Sequence, residues 1–216
     1  MTHAKGRHYI LTDEVRQHVV ATACLLWDEF LTFKQGEFTA DSLFLSINER
    51  TTREHNHCAV EFFRFCAQVV HGIPDAAVVN QSLDGVVESR RGIPSSWLWN
   101  MNTRSGKNYP LITIDRESIL RQVQQEFHGL RGIHRLYTML ILHETGHLVL
   151  HWKYLNANVL HHTNDGRQAF DAKAEHEAEA WWFCFSVVAQ ASGAIASIAR
   201  RGDPENHDPL WYYLLC

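Results

Sequence analysis

Apolar and polar residues alternate with a helical period at both ends of the chain and with a shorter, broken rhythm in the middle. Val15, Val19, Ala23, Leu26, Phe30 and Phe33 recur at spacings of three and four, as on one face of an amphipathic helix. Thr12 ahead of Asp13 and Glu14 offers a hydroxyl cap with acids at the positive end of the helix dipole, and Gly36 marks a stop. A shorter helix is expected over 41–49. Another is expected over about 52–71, with Ala59, Phe62, Phe63, Cys66, Val69 and Val70 apolar, ended by Gly72-Ile73-Pro74.

Between Asp75 and Asp115, Gly and Pro punctuate short apolar runs: Val86-Val87, Trp97-Leu98-Trp99 and Leu111-Ile112-Thr113-Ile114. These read as strands of a small sheet, with 104–108 as a hairpin turn. A helical pattern returns over 116–127, is broken by Gly129 and Gly132, and resumes strongly over about 133–155. A loop, 156–166, carries His161 and His162, and a last long helix is expected over about 171–197. The expectation is an α+β fold, mainly helical, with a small three-stranded sheet beside the 133–155 helix. It is expected to form a single compact domain, 1–216. A helical N-terminal part covers 1–75, a core covers 76–200, and a C-terminal tail, 201–216, ends in an apolar stretch that packs back.

Composition narrows the function classes. The 216 residues are 45% hydrophobic and 20% charged, enough apolar material for a real core. The net charge of −4 argues against a basic surface that neutralises phosphates, so no direct nucleic-acid role is expected. The five cysteines are odd in number, widely spaced and without a C-x-x-C pair, which fits a reducing compartment better than a disulfide framework. The polar N-terminus and the lack of a long apolar run lead to the expectation of a cytoplasmic protein with no membrane segment. Histidine is the outlier at fifteen residues, which makes metal or acid–base chemistry worth testing.

His143-Glu144-Thr145-Gly146-His147 is an H-E-x-x-H segment. Histidines four apart on a helix differ by about 40° in direction, so both imidazoles reach one metal ion. Glu144 points about 100° away from His143, beside a metal-bound water rather than onto the metal. A zinc-bound water has its pKa lowered towards about 7, and a neighbouring carboxylate can take its proton. The apolar flanks predict a buried helix, where unpaired polar groups are costly and a metal satisfies several at once.

A zinc hydrolase needs a third protein ligand. The longer H-E-x-x-H-x-x-G-x-x-H signature is excluded, because Leu150 and Lys153 stand at its Gly and His positions. On the last helix, Trp181, Cys184, Val188, Ala191 and Ile195 fall within about 40° of Glu177, which places this acid inside an apolar stripe. Zinc is the preferred partner for it. His176 lies about 100° off the stripe, and Glu175 and Glu179 about 160° off, beside Ser186 on the face expected to be wet. His151, eight residues after His143, is either a hydrogen-bond partner of a ligand or a core histidine. Tyr154, His161 and His162 are candidate donors to a developing oxyanion, with core packing and plain solvation as the competing readings.

His143-Glu144-Thr145-Gly146-His147-Leu148-Val149-Leu150-His151, followed by Glu175-His176-Glu177-Ala178-Glu179-Ala180-Trp181-Trp182, resembles the ImmA/IrrE metallopeptidase family. That family reads H-E-x-G-H-x-x-x-H and then E-x-E-A-(N/D)-x-F-A. The run Ile112-Thr113-Ile114-Asp115 is similar to the strand the family places before its active helix. The resemblance covers roughly 80–192 and implies a zincin-like fold, zinc on His143, His147 and Glu177, and Glu144 as acid–base. It also implies a regulatory intracellular protease. Glu179 and Trp181 depart from the family pattern, the stretch 115–143 is longer than its usual link, and the first 75 residues match no known pattern.

The leading expectation is therefore a zinc-dependent hydrolase acting on a peptide or protein. The alternatives are a zincin-like enzyme acting on a small molecule, and a non-catalytic zinc-containing binding protein with a fourth ligand such as His151 or His176 closing the site.

Overall fold

The computed structural model describes residues 11–43, 52–80, 96–102, 108–115, 130–156 and 166–191. Helix α1 spans Asp13–Phe33, and the Thr12 hydroxyl accepts a hydrogen bond from the Val15 amide at 3.3 Å, as the capping pattern predicts. The helix closes through Gln35 and Gly36, at φ 46° and 90°. Glycine takes the second of these without a Cβ penalty. In place of the helix expected over 41–49, a single 3₁₀ turn covers Ala40–Leu43, and the rest of that expectation lies outside the described residues. Helix α2 spans Thr52–His71 and ends at Gly72, where φ is 66°.

Three strands follow: β1, Ala77–Asn80; β2, Ser96–Asn102; and β3, Asn108–Ile114. They form a mixed sheet in the order β1-β3-β2, with β1 parallel and β2 antiparallel to β3. Ser96 lies opposite Ile114, and Asn102 opposite Asn108. The expected strands around Trp97–Trp99 and Leu111–Ile114 are present. The first strand is the Ala77-Val78-Val79 run, while Val86-Val87 and the helix 116–127 fall outside the described residues; of the expected turn 104–108, residues 104–107 also fall outside them and Asn108 opens β3.

Helix α3 spans Leu130–Asn156 and runs through Gly132, which does not break it. It is the third residue of the helix, and a glycine costs at most about 1 kcal/mol relative to alanine, which a helix of 27 residues absorbs. Helix α4 spans Gly166–Ala191, starting five residues ahead of the expected Asp171; the expected continuation to 197 and the tail lie outside the described residues. The result is α+β, with four α-helices and one small mixed sheet among the described residues. None of the described helices is long and apolar enough to cross a membrane.

Packing places α3 at the centre. It lies against α4 and α2 and also carries β2 and β3, while α1 covers the other side of α4. One continuous apolar cluster joins these elements. Trp27, Phe30, Phe62, Phe63 and Phe183 are fully buried within it. The Phe62 ring meets Trp27 and Phe30 at 5.4 Å and Phe183 at 6.4 Å, linking α1, α2 and α4 through one side chain. Phe62→Ala is expected to lose about 3–5 kcal/mol of folding stability, read as a lower midpoint in urea denaturation.

Candidate metal centre

The H-E-x-x-H segment sits in the middle of α3, where residues 138–146 are all buried. His143 and Glu144 are each 5% exposed, and the intervening Thr145 is satisfied by donating its hydroxyl to the Ile141 carbonyl at 2.7 Å. His147, one turn on, is partly buried.

Gly146 decides how α4 meets this helix. A Cβ at this position would stand 2.9 Å from both Cα and the carbonyl oxygen of Ala180, and 3.1 Å from Cβ of Phe183. Backbone rather than a movable side chain fills that space, so α3 and α4 approach closely only because residue 146 is glycine and residue 180 is small. Glu177 lies one turn before Ala180, and this crossing brings it to the two histidines.

His143 Nε2 and His147 Nε2 are 3.2 Å apart. Glu177 Oε2 lies 3.2 Å from the first and 3.7 Å from the second. A triangle with these edges has a circumradius of about 2.0 Å, so one point lies at ordinary zinc–nitrogen and zinc–oxygen distances from all three atoms. His143, His147 and Glu177 could therefore hold a metal ion, as the spacing predicts. Two imidazoles and one carboxylate form a donor set suited to zinc and neighbouring divalent ions.

Glu177 is less enclosed than its place in the apolar stripe suggests. Its side chain is 45% exposed, against 6% for His143 and 14% for His147. Burial works against the charged form of Glu177, but hydrogen bonds from His143 and His147 outweigh it and hold the carboxyl well below the ordinary glutamate range.

No family model, curated protein or solved structure matches the chain.

Two further groups hold the site residues in place. Ser96, the first residue of β2, donates its hydroxyl to Glu144 Oε1 at 2.6 Å in a buried contact. A carboxylate has about four acceptor positions, so this bond fixes Glu144 and leaves capacity for others. His151 is 3% exposed, its Nδ1 is 3.2 Å from His147 Nδ1, and its Nε2 is 2.7 Å from Glu179 Oε2. His151 thus touches a candidate ligand, and of its two readings the hydrogen-bonded one holds. Burial pulls its pKa down to about 4, against the opposing pull of Glu179, so the ring is neutral at neutral pH.

Glu179 was expected on a wet face. Its side chain is instead only 16% exposed and bonded to His151. Ser186 is also buried rather than solvated. Glu179 is covered from α3, through His151, while α1 lies along another flank of α4, where Gln190 donates to Asp28 at 3.1 Å and the Arg16 guanidinium lies over the Trp182 ring at 5.5 Å.

His143 is supported differently from His147. The Trp181 ring lies 4.2 Å from the His143 ring, and His143 Nδ1 has no hydrogen-bond partner among the described residues. His176 stacks on His151 at 4.0 Å and does not join the triangle. Tyr154 is 37% exposed and leans over His176 at 5.3 Å; it lies near His143 in angle but three turns away along the axis. It is exposed rather than a core tyrosine. His161 and His162 lie outside the described residues. Among the described residues, no fourth side chain completes the triangle.

Ser96, Glu179 and Gly146 received no role from spacing or periodicity. Only the glycine left a local signal, a small residue between the two histidines of a buried helix. Gly146→Ala is expected to push α4 off α3. Overpacking of this kind costs about 1–3 kcal/mol, and zinc uptake should weaken with it, checked by thermal unfolding with and without added zinc.

Proposed function

We propose that the protein is a zinc-dependent hydrolase of zincin-like fold and that its substrates are peptides. The observation that carries the reading is the triangle of His143 Nε2, His147 Nε2 and Glu177 Oε2, with a common point about 2.0 Å from each and with the Glu177 side chain 45% exposed. Three protein ligands with an open position are the mark of a catalytic rather than a structural zinc site. A zinc ion held there supplies a polarised carbonyl and a water of lowered pKa.

The remaining chemistry belongs to the chain. Glu144 adjoins His143 and is held by Ser96, so its carboxylate keeps one orientation. In this reading its role is to accept a proton from the attacking water and return it to the leaving amine. The sheet favours a peptide over a small molecule. Strand β2 is an edge strand of the described sheet, and its first residue touches Glu144. An extended peptide can add to such an edge through main-chain hydrogen bonds, with its carbonyls running past the carboxylate. The resemblance of the two motif segments to the ImmA/IrrE metallopeptidases supports the same substrate class and an intracellular, regulatory setting.

Two variants test the reading. Glu177→Ala is expected to purify without zinc while wild type carries one ion per chain, measured by elemental analysis. Glu144→Gln is expected to keep the zinc and lose about 10²-fold or more of peptide hydrolysis, followed with a quenched-fluorescent peptide library. Unchanged zinc in the first variant, or full turnover in the second, overturns the proposal.

A further inference from the structure

One turn of α4 meets His143 twice. Glu177 Oε2 lies 3.2 Å from its Nε2, and Trp181, four residues on, lies against the ring itself. The two ring centroids are 4.2 Å apart, with the planes 34° from parallel. Aromatic pairs ordinarily sit with centroids about 4.5–7 Å apart, so this is a close contact in which the indole covers a face of the imidazole. Trp181 is supported in turn by Phe185, stacked on it at 5.7 Å and 24°. His147 stands edge-on to His143, at 4.7 Å and 86°.

A histidine ring turns about χ2, a torsion with broad wells. In a metal site the usual restraint is a hydrogen bond to the ring nitrogen that faces away from the ion. His143 has none: its Nδ1 is buried and has no hydrogen-bond partner among the described residues. Whatever fixes this ring must therefore act on its faces.

We infer that Trp181 is the positioning residue of His143: its indole takes the place of the missing hydrogen bond and keeps the imidazole turned with Nε2 towards Glu177 and His147. This rests on reading His143 as a metal ligand. Trp181 offers the ion no ligand atom, since an indole nitrogen only donates. Glu177 and Trp181 ride on the same turn, so any shift of α4 moves one ligand directly and a second through the ring that packs on it.

The test uses Trp181→Leu, which removes the flat face, and Trp181→Phe, which keeps one. Trp182→Leu is the control, because the neighbouring indole lies under the Arg16 guanidinium instead. Zinc affinity is measured by competition with a chromophoric chelator, and thermal stability without metal. The His143 ring is followed by the carbon-bound proton signals of its imidazole in the metal-free protein, at one fixed pH. In wild type these protons are expected upfield of those of an unstacked histidine, displaced by the indole ring current. Trp181→Leu is expected to abolish the displacement and to bind zinc about 10–100-fold more weakly. Trp181→Phe is expected to restore most of the affinity, and Trp182→Leu to match wild type even where its melting point falls as far as that of Trp181→Leu. Undisplaced His143 protons in wild type, zinc affinity within twofold of wild type in Trp181→Leu, or equal losses in the two leucine variants overturns the inference. If wild type binds no zinc, but its His143 protons are displaced and Trp181→Leu releases them, the positioning stands and the metal reading falls.

Discussion

The crossing of α3 and α4 at Gly146 and Ala180 is the constraint on which the rest of the site depends. Metal-ligand geometry tolerates errors of a few tenths of an ångström. The third ligand comes from a separate helix, so the distance between helix axes sets its position. Side chains normally hold helices 8–10 Å apart. Here the chain removes a side chain at the contact and lets backbone meet backbone. The Phe183 ring then fills the space one turn on, and it packs on Phe62 of α2. The N-terminal helices therefore act as a brace that keeps the two ligand-bearing helices pressed together.

The polar groups inside this apolar frame obey a strict economy. Thr145 and Ser186 return their hydroxyls to their own helices. Glu144 is met by a strand, His147 by the next histidine, and His151 by the neighbouring helix. Buried polar groups left alone are costly, so each of these contacts stabilises the fold as well as ordering the site. His143 Nδ1 departs from this pattern, as do Trp27 Nε1 and Asn100 Oδ1, and the Trp181 ring packs on the His143 imidazole.

Much of this was legible in the sequence, for local reasons. Thr12, Gly36 and Gly72 mark the ends of α1 and α2 because caps and left-handed stops depend on single residues. His143 and His147 are legible because a ligand pair four apart is a property of one helix. Glu177 could be reached from its angular position among apolar residues, although the structure leaves its side chain half open to solvent. Glu179 could not, because an angle measured on one helix says nothing of what lies beyond. Glu179 is drawn in by His151 of α3, 28 residues away, and α1 folds along another flank of α4 through contacts such as Asp28 with Gln190, 162 residues apart. Ser96 and strand β1 were hidden for the same reason: a hydroxyl gains its role from a partner 48 positions away, and a four-residue strand exists only by pairing with β3.

The row of histidines has a mechanical side. His143, His147 and His151 span two turns of α3, and the helix ends at Asn156, little more than one turn beyond the last of them. In the same region His71, the last residue of α2, contacts the Leu148 carbonyl through Nε2 at 2.8 Å and sets its ring beside Trp152. Helix ends fray, and the fraying of this one would reach His151 before it reached either ligand. The junction of α2 with α3 thus works as a clamp: it holds the end of the helix wound, and the stiffness it gives the final turns is passed back along the imidazoles to the centre of the fold.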